Sequence, residues 1–260
     1  LSISNLFIAA FSALISLKKQ PQWIIGELGN GSLSKLPNCD IVIHLAASSV
    51  KASNRNWNDC IKTNILGTNE LLYGLSNLSD TPRLIYPRTF YENYLNNCSE
   101  LKNNPYVVTK AAGTKIVELW AKANQSYHVT FGTIFQAYGV GDDSGNVLMY
   151  TSNCLKNRVK AKLGSGESLR DWIYIDDLIE LFGQVMKISN GSKHYIEFGT
   201  GNLISIKDVV YRLINLMEAT DDLIEFDENN NLSDVQLGTG ANNLFPGWSP
   251  RYSLDKGLEK

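Results

Sequence analysis

A tyrosine and a lysine four residues apart, Tyr106 and Lys110, are the side chains of this sequence best suited to proton transfer. This spacing places two side chains next to each other on one face of a helix. A free phenol has a pKa of about 10 and is a poor base at neutral pH, so it needs a nearby positive charge that favours its phenolate form. Lys110 can supply that charge. The pair predicts a proton-transfer site, although such pairs also occur by chance in many helices.

Segments of strand length alternate with segments of helix length along the chain, which favours parallel strands joined by crossover helices. The pair lies on a helix predicted from Tyr106 to about Ala123. A second helix is predicted from Ser205, its N-cap, to Met217, with Asp208 as capping partner. Strands are predicted at 22–27, 40–47, 83–86 and 128–135, and periodic apolar residues between 57 and 75 predict a further helix.

Composition narrows the class of protein. The chain has 260 residues, of which 43% are hydrophobic and 19% charged, as in a globular protein of one large or two modest domains. A formal net charge of -2 and a pI of about 6.0 favour small-molecule partners over nucleic acid or an anionic membrane. The four cysteines and three histidines lack metal-ligand spacing, so we expect no metal site and a reducing, cytoplasmic location.

One apolar segment, residues 6–17, could be mistaken for a membrane span or an export signal. It is too short to cross a bilayer, no basic residue precedes it, and no small-residue cleavage site follows. It is therefore predicted to be a buried helix or strand. The chain opens with Leu rather than Met, which raises the hypothesis that a natural N-terminal segment is missing.

Six short segments, in this order, resemble the extended short-chain dehydrogenase/reductase family, the NAD-dependent epimerase/dehydratase group that acts on nucleotide sugars. The resemblance extends from about residue 22 to the C-terminus. The segments are His44-Leu-Ala-Ala47, Asn64-Ile-Leu-Gly-Thr68, Tyr106 to Lys110 after Pro105, Tyr138-Gly139, Arg170 to Asp177, and Gly247-Trp-Ser-Pro250.

The resemblance implies a fold of the α/β class: a doubly wound Rossmann-like parallel sheet, here without a recognisable first strand, and a smaller C-terminal α/β substrate-binding region. The dinucleotide-binding part would span residues 1–140, with segments from about 170 to 200 returning to it. The substrate-binding part would span residues 141–260. The implied cofactor is NAD or NADP, the implied substrate is a nucleotide sugar, and homodimers are common in such proteins.

The resemblance also implies roles for individual residues. Tyr106 would exchange a proton with a sugar hydroxyl, and Lys110 would favour the phenolate and bind the cofactor ribose. Thr89 is the candidate for an active-site hydroxyl. The candidate cofactor contacts are Leu45, Ala46, Ala47, Asn64, Tyr106, Lys110 and Glu27, and the candidate substrate contacts are Gln136, Asn146 and Arg170.

Simpler interpretations stay open for several of these residues. Ala46 and Ala47 could pack under a helix, and Glu27 could be a solvated strand end. The guanidinium of Arg170 suits a pyrophosphate, but it could instead pair with Asp171 or Asp176.

Three features depart from the family. A Gly-x-x-Gly-x-x-Gly phosphate loop does not precede residue 22. Counting back four residues from Tyr91, where relatives have a serine or threonine, gives Pro87, so Thr89 could serve only if the strand end bulges. Gly132-Thr133 stands where arginine is common.

The favoured prediction is therefore an NAD(P)-dependent nucleotide-sugar epimerase or 4-keto reductase of polysaccharide biosynthesis. Dehydration is the least favoured reaction, because dehydratases carry an Asp-Glu pair where this chain reads Arg88-Thr89. The alternative is a catalytically degraded relative that binds a nucleotide sugar or a protein partner without turnover.

Overall fold

The computed structural model describes residues 26–33, 36–48, 56–188, 194–227, 238 and 240–260. The strands are β1 (Ile41–Ile43), β2 (Arg83–Thr89), β3 (Val129–Ile134), β4 (Gln136–Tyr138), β5 (Ala161–Leu163), β6 (Leu169–Tyr174), β7 (His194–Phe198), β8 (Leu203–Ser205) and β9 (Ile224–Phe226). The α-helices are α1 (Trp57–Cys60), α2 (Gly67–Ser76), α3 (Ser99–Lys102), α4 (Pro105–Ala123), α5 (Val147–Lys156), α6 (Ile175–Val185), α7 (Ile206–Leu216) and α8 (Leu254–Leu258). A π-helical segment, Ile61–Leu66, joins α1 to α2, and 3-10 helices lie at Phe90–Tyr94 and Asp221–Leu223.

The main sheet has the strand order β1-β2-β3-β7, and every pair in it is parallel. Parallel neighbours need long crossover connections, which here contain the helices. Helices α1 and α2 connect β1 to β2, and α3 and α4 connect β2 to β3. The predicted α/β class with a Rossmann-like parallel sheet is confirmed.

Successive residues of β2 point to opposite faces of the sheet, and each face is covered by helices. Leu84 and Tyr86 pack with apolar side chains of α2 and α4 on one face. Ile85 packs with α6 and β7 on the other. A strand buried on both faces lacks an apolar/polar alternation, which agrees with the run of four non-charged, mostly apolar residues from Leu84 to Pro87 in its centre.

The C-terminal region contains two smaller sheets. Strand β6 pairs in parallel with β4 and antiparallel with β8, and β5 pairs with β9. Tyr138, Trp172 and Tyr174 form its aromatic core. Strand β6 runs directly into α6, which packs on the main sheet, and β7 then lies at the edge of that sheet. The division into two regions near residue 140 stays a prediction.

Element boundaries differ from the sequence-based predictions for local reasons. The strand predicted at 40–47 is hydrogen-bonded as β1 only over Ile41–Ile43, since after His44 donates its backbone N–H to the Ile85 carbonyl the chain leaves the sheet. Strand β2 extends to Thr89, beyond its predicted end at residue 86. The N-cap role of Ser205 is confirmed, because its side chain accepts the Asp208 N–H.

Some predictions fall outside the described residues. They include the apolar segment 6–17 and most of the strand predicted at 22–27, of which only Gly26 and Glu27 are described, and these two are not in a strand. Among the helices that the structure describes, none is both long enough and apolar enough to cross a membrane.

Candidate active site

Helix α4 begins in a way that fixes Tyr106 within its first turn. The Asn104 carboxamide oxygen caps the helix by accepting the backbone N–H groups of Tyr106 at 3.1 Å and Val107 at 3.4 Å. Pro105 occupies the first helical position, where a missing N–H costs nothing. The predicted helix is therefore confirmed, and Tyr106 and Lys110 lie one turn apart on it.

Lys110 is almost fully buried, with 5% of its surface exposed. Its ammonium group donates a hydrogen bond to the Pro87 carbonyl oxygen at 2.9 Å and lies 4.9 Å from the centre of the Tyr86 ring. Burial lowers the pKa of Lys110, the Glu92 carboxylate partly offsets this by favouring the charged form, and the Arg88 guanidinium lowers it further. The helix thus directs a desolvated cation to the C-terminal end of β2.

Thr89 is the last residue of β2 and is buried. It forms a capping box with Glu92 at the start of the 3-10 helix, in which the Glu92 carboxylate accepts the Thr89 N–H at 3.0 Å. The pairing of β2 with β3 is regular from Leu84 to Thr89, so the bulge that would bring Thr89 to the position of Pro87 is not present at this strand end. Thr89 instead lies two residues beyond Pro87 and on the same face of the strand.

A buried polar cluster supports this end of the sheet. The Thr68 hydroxyl lies 3.4 Å from both the His44 Nε2 atom and the Tyr86 hydroxyl, and the His44 ring stacks on Tyr86. Burial, with a smaller contribution from Lys110, lowers the pKa of His44 to about 3, so this histidine is neutral. These contacts give His44 a structural role behind the candidate site.

Asn64 lies in the π-helical segment and is buried. Its carboxamide oxygen accepts the Ser48 N–H, and its Nδ2 atom donates to the Thr109 hydroxyl, both at 2.9 Å. Asn64 thereby connects the segment after β1 to helix α4. In that segment Leu45 is 52% exposed, Ala46 is exposed and Ala47 is half-buried.

Glu27 lies at the protein surface rather than at the end of a strand. Its carboxylate pairs with the Lys62 ammonium at 2.6 Å and accepts a hydrogen bond from Asn30 at 2.6 Å. Lys62 belongs to the π-helical segment. The predicted contact between Glu27 and a cofactor therefore stays a prediction.

Arg170 of β6 reaches the end of β2. Its guanidinium lies 5.8 Å from the centre of the Phe90 ring, and its Nη1 atom donates to the Leu169 carbonyl at 2.7 Å. Phe90 directly follows Thr89. The neighbouring Asp171 accepts the Thr200, Gly201 and Ala241 N–H groups at 2.7 to 2.8 Å, so its carboxylate anchors two loops.

The other two predicted substrate contacts lie earlier in the chain than Arg170. Gln136 begins β4 of the neighbouring small sheet, two residues after Ile134, which pairs with Thr89 at the C-terminal end of β3. Asn146 is exposed and precedes α5 as its N-cap residue, and its side chain donates to the Asp142 carboxylate. Burial raises the pKa of Asp142.

Sequence analysis missed the residues that act behind the candidate site. These residues contact one another or lie close enough to affect Lys110, and they are Tyr86, Thr68, Glu92 and Thr114. The only signal in the sequence was positional, because Tyr86 is an aromatic residue in a strand that leads to the site. The described residues hold no group of three or more histidine, cysteine, aspartate or glutamate side chains that could bind a metal ion.

Comparison with known proteins identifies related chains. The model of the NAD dependent epimerase/dehydratase family matches residues 24–198. CDP-abequose synthase of Salmonella typhimurium is 27% identical over 163 residues, which cover 60% of this chain and 54% of that enzyme, so the match spans about half its length. dTDP-glucose 4,6-dehydratase of Haemophilus influenzae is 23% identical over 96% of this chain and 84% of its own.

Among solved structures, UDP-glucuronic acid 4-epimerase of Bacillus cereus, in complex with UDP-glucuronic acid and NAD, superposes with a TM-score of 0.77. It is 21% identical, and the superposition covers 98% of this chain and 84% of that one. At this identity the similarity shows a common fold.

Proposed function

Because this chain belongs to the NAD dependent epimerase/dehydratase family, we propose that it is a nucleotide-sugar epimerase or 4-keto reductase that uses NAD or NADP. One observation carries the proposal: Lys110 follows Tyr106 by one turn of α4, and its buried ammonium is held by the carbonyl of Pro87, two residues before Thr89. A desolvated cation next to a phenol is the arrangement that proton transfer by tyrosine requires.

The residues after β1 fit a dinucleotide. Leu45 and Ala46 expose apolar surface where β1 ends, and ligands of open parallel sheets bind outside the carboxyl ends of the strands. We propose that the cofactor lies against Leu45, Ala46 and Ala47, with Asn64 holding the backbone of that segment through Ser48. The bound cofactor would accept or supply the hydride at the sugar carbon.

The chain's own residues would move the proton. In the reductive direction the Tyr106 hydroxyl donates its proton to the carbonyl oxygen of the sugar as that carbon receives the hydride, and the reverse step returns it. Lys110 stabilises the resulting phenolate by its charge. Since β2 does not bulge, the Thr89 hydroxyl would contact the sugar from two residues further along the strand than the position where relatives have a hydroxyl. Arg170 would bind the pyrophosphate by parallel hydrogen bonds.

The substrate class follows from the relatives. Their names specify CDP-, dTDP- and UDP-linked sugars, so the proposal extends to a nucleotide sugar and leaves the base unassigned. Gln136, Asn146 and Arg170 are the proposed substrate contacts, in or next to the C-terminal region 141–260. The relatives favour this enzyme over the alternative of a binding protein without turnover. We place the protein in polysaccharide biosynthesis in the cytoplasm.

We further propose that the protein forms a homodimer. Several apolar side chains are exposed on α1, α2, the π-helical segment and α4, namely Trp57, Ile61, Leu66, Tyr73 and Leu119. Their burial against a second copy would remove apolar surface from water. Sedimentation equilibrium tests this proposal, and a monomer at micromolar concentration contradicts it.

The test of the proposed function is cofactor binding followed by turnover. We expect NADH or NADPH to bind the purified chain, as seen by titration of cofactor fluorescence, and 4-keto sugar nucleotides to oxidise the bound cofactor. Tyr106→Phe should abolish turnover and leave cofactor affinity nearly unchanged, since only the proton donor is lost. Thr89→Ser should retain more activity than Thr89→Val. Absence of binding at millimolar cofactor would refute the proposal for this chain.

A further inference from the structure

Glu92 is a buried carboxylate that the proposed chemistry does not use. Only 2% of its side chain is exposed, and it lies in the 3-10 helix that follows Thr89. A buried carboxylate is costly unless its oxygens are paired or hydrogen-bonded. The partners of Glu92 therefore indicate why it is there.

The two carboxylate oxygens bind different structural elements. Oε1 accepts the backbone N–H of Thr89 at 3.0 Å, at the end of β2. Oε2 accepts the hydroxyl of Thr114 at 2.8 Å, on helix α4. Thr114 follows Lys110 by one helical turn, so one carboxylate joins the strand end that carries the candidate hydroxyl to the helix that carries the candidate acid–base pair.

The charged and titratable groups around this carboxylate come from the same elements. The Arg88 Nε atom lies 3.2 Å from Oε2, and the negative charge acts on Lys110 and Tyr86 from behind the candidate site. Burial raises the pKa of Tyr86 to about 12, and Glu92 adds to that increase. The carboxylate thus keeps Lys110 charged where burial opposes it.

We propose that Glu92 is a positioning residue, which fixes Thr89 relative to Tyr106 and Lys110 and supplies the negative charge behind the Lys110 ammonium. The proposal rests on the proposed function only for its effect on turnover. The link between β2 and α4 and the effect on Lys110 are properties of the folded chain, so they can be measured without substrate.

The first test is an NMR titration of the Lys110 side chain in protein labelled with 15N-lysine, with the signal assigned by its absence in Lys110→Met. Glu92→Gln keeps a hydrogen-bond acceptor but removes the charge, so the pKa of Lys110 should fall. Asp208→Asn is the matched control. The Asp208 carboxylate also accepts a hydrogen bond from a capping residue, Ser205, but Asp208 lies on α7. Equal titration of Lys110 in wild type and Glu92→Gln overturns the electrostatic part of the proposal.

The second test is a double-mutant cycle of Glu92→Ala and Thr114→Val, measured by urea unfolding. If the carboxylate links the two elements through Thr114, the double variant should lose clearly less stability than the sum of the single losses. Strictly additive losses overturn the link. This test does not depend on activity. If the wild-type protein showed no turnover, the proposed function would be refuted, but the double-mutant cycle would still test the role of Glu92.

The third test separates positioning from a general loss of stability. At a temperature where all variants are folded, Glu92→Ala should lower kcat by about tenfold to a hundredfold with KM for the sugar nucleotide little changed, since small misplacements of reacting groups are costly. Glu92→Gln should recover part of that loss, because its carboxamide oxygen keeps one of the two acceptors, and Asp208→Asn should behave as wild type. A wild-type kcat in Glu92→Ala would refute the positioning role.

Discussion

The Nζ atom of Lys110 lies 2.9 Å from the carbonyl oxygen of Pro87, the residue that stands where a hydroxyl was expected from the sequence. In a parallel strand the N–H and C=O of one residue point to the same side. Since this carbonyl faces Lys110 rather than β3, the Pro87 nitrogen also faces away from β3. Strand β1 pairs only with Arg83 to Ile85, so proline removes no hydrogen bond from the sheet at this position.

Lys110→Met should lower turnover by about a hundredfold or more, because the phenol of Tyr106 loses the charge that stabilises its phenolate. The variant should stay folded to within about 1 kcal/mol of wild type, since loss of the hydrogen bond to Pro87 is offset by removal of a desolvated charge. Steady-state kinetics and urea unfolding check both statements. Lys115→Met is the control on the same helix, where the ammonium pairs with Glu118 at the surface. Full activity of Lys110→Met would contradict the assigned role.

Arg170→Lys should raise KM for the sugar nucleotide by about tenfold and leave cofactor affinity unchanged. Lysine keeps the charge but cannot make two parallel hydrogen bonds to a pyrophosphate, and it loses the planar contact with Phe90. The control is Arg212→Lys, since Arg212 forms an exposed pair with Asp255. The proposed substrate contact would be wrong if both variants had the KM of wild type.

His44 should make the protein sensitive to acid. Its pKa falls from 6.5 to about 3 on folding, so below pH 6.5 the unfolded chain binds a proton that the folded chain does not. The free energy of unfolding should therefore decrease as the pH falls from 6.5 towards about 3. The slope for this one group should reach about 1.4 kcal/mol per pH unit.

The test replaces His44 by glutamine, which can still bond to Thr68 but does not titrate. Urea unfolding between pH 5 and about 6.5 measures how the free energy of unfolding changes with pH. This change should be smaller in the variant than in wild type, by up to about 1.4 kcal/mol per pH unit. Parallel slopes for the two proteins would show that His44 is not the group that folding keeps neutral.

Gly113→Ala should destabilise the protein by about 1 to 3 kcal/mol. A Cβ atom at this position would lie 2.6 Å from the Tyr86 hydroxyl and 2.7 Å from the Asn64 carbonyl oxygen, so α4 would have to move away from the elements behind the candidate site. Gly183→Ala is the matched control: a Cβ atom there meets no atom within 4 Å, and alanine should stabilise α6 by up to about 1 kcal/mol. Differential scanning calorimetry measures both changes. Equal stability of the two variants would contradict this account of packing at Gly113.

The local features of this protein were determined by its sequence. The helix predicted from Tyr106, the Ser205 cap of α7 and the apolar strands depend on neighbouring residues, so pattern alone predicted them. The spacing of Tyr106 and Lys110 is also local, since one helical turn brings the two side chains together. The short motifs around the pair carried the resemblance to the family.

Tertiary structure decided which groups lie behind the pair. The carbonyl of Pro87 is the hydrogen-bond partner of Lys110. The Glu92 carboxylate binds the Thr89 N–H and also Thr114, which lies 22 residues after Glu92. The Thr89–Glu92 capping box is local, but the contacts of Lys110 with Pro87 and of Glu92 with Thr114 have no sequence signature, because each depends on where β2 ends relative to α4. The relative position of β2 and α4 is set by their packing around a common core. Many weak apolar contacts from several segments fix it together, so no single segment of sequence predicts it.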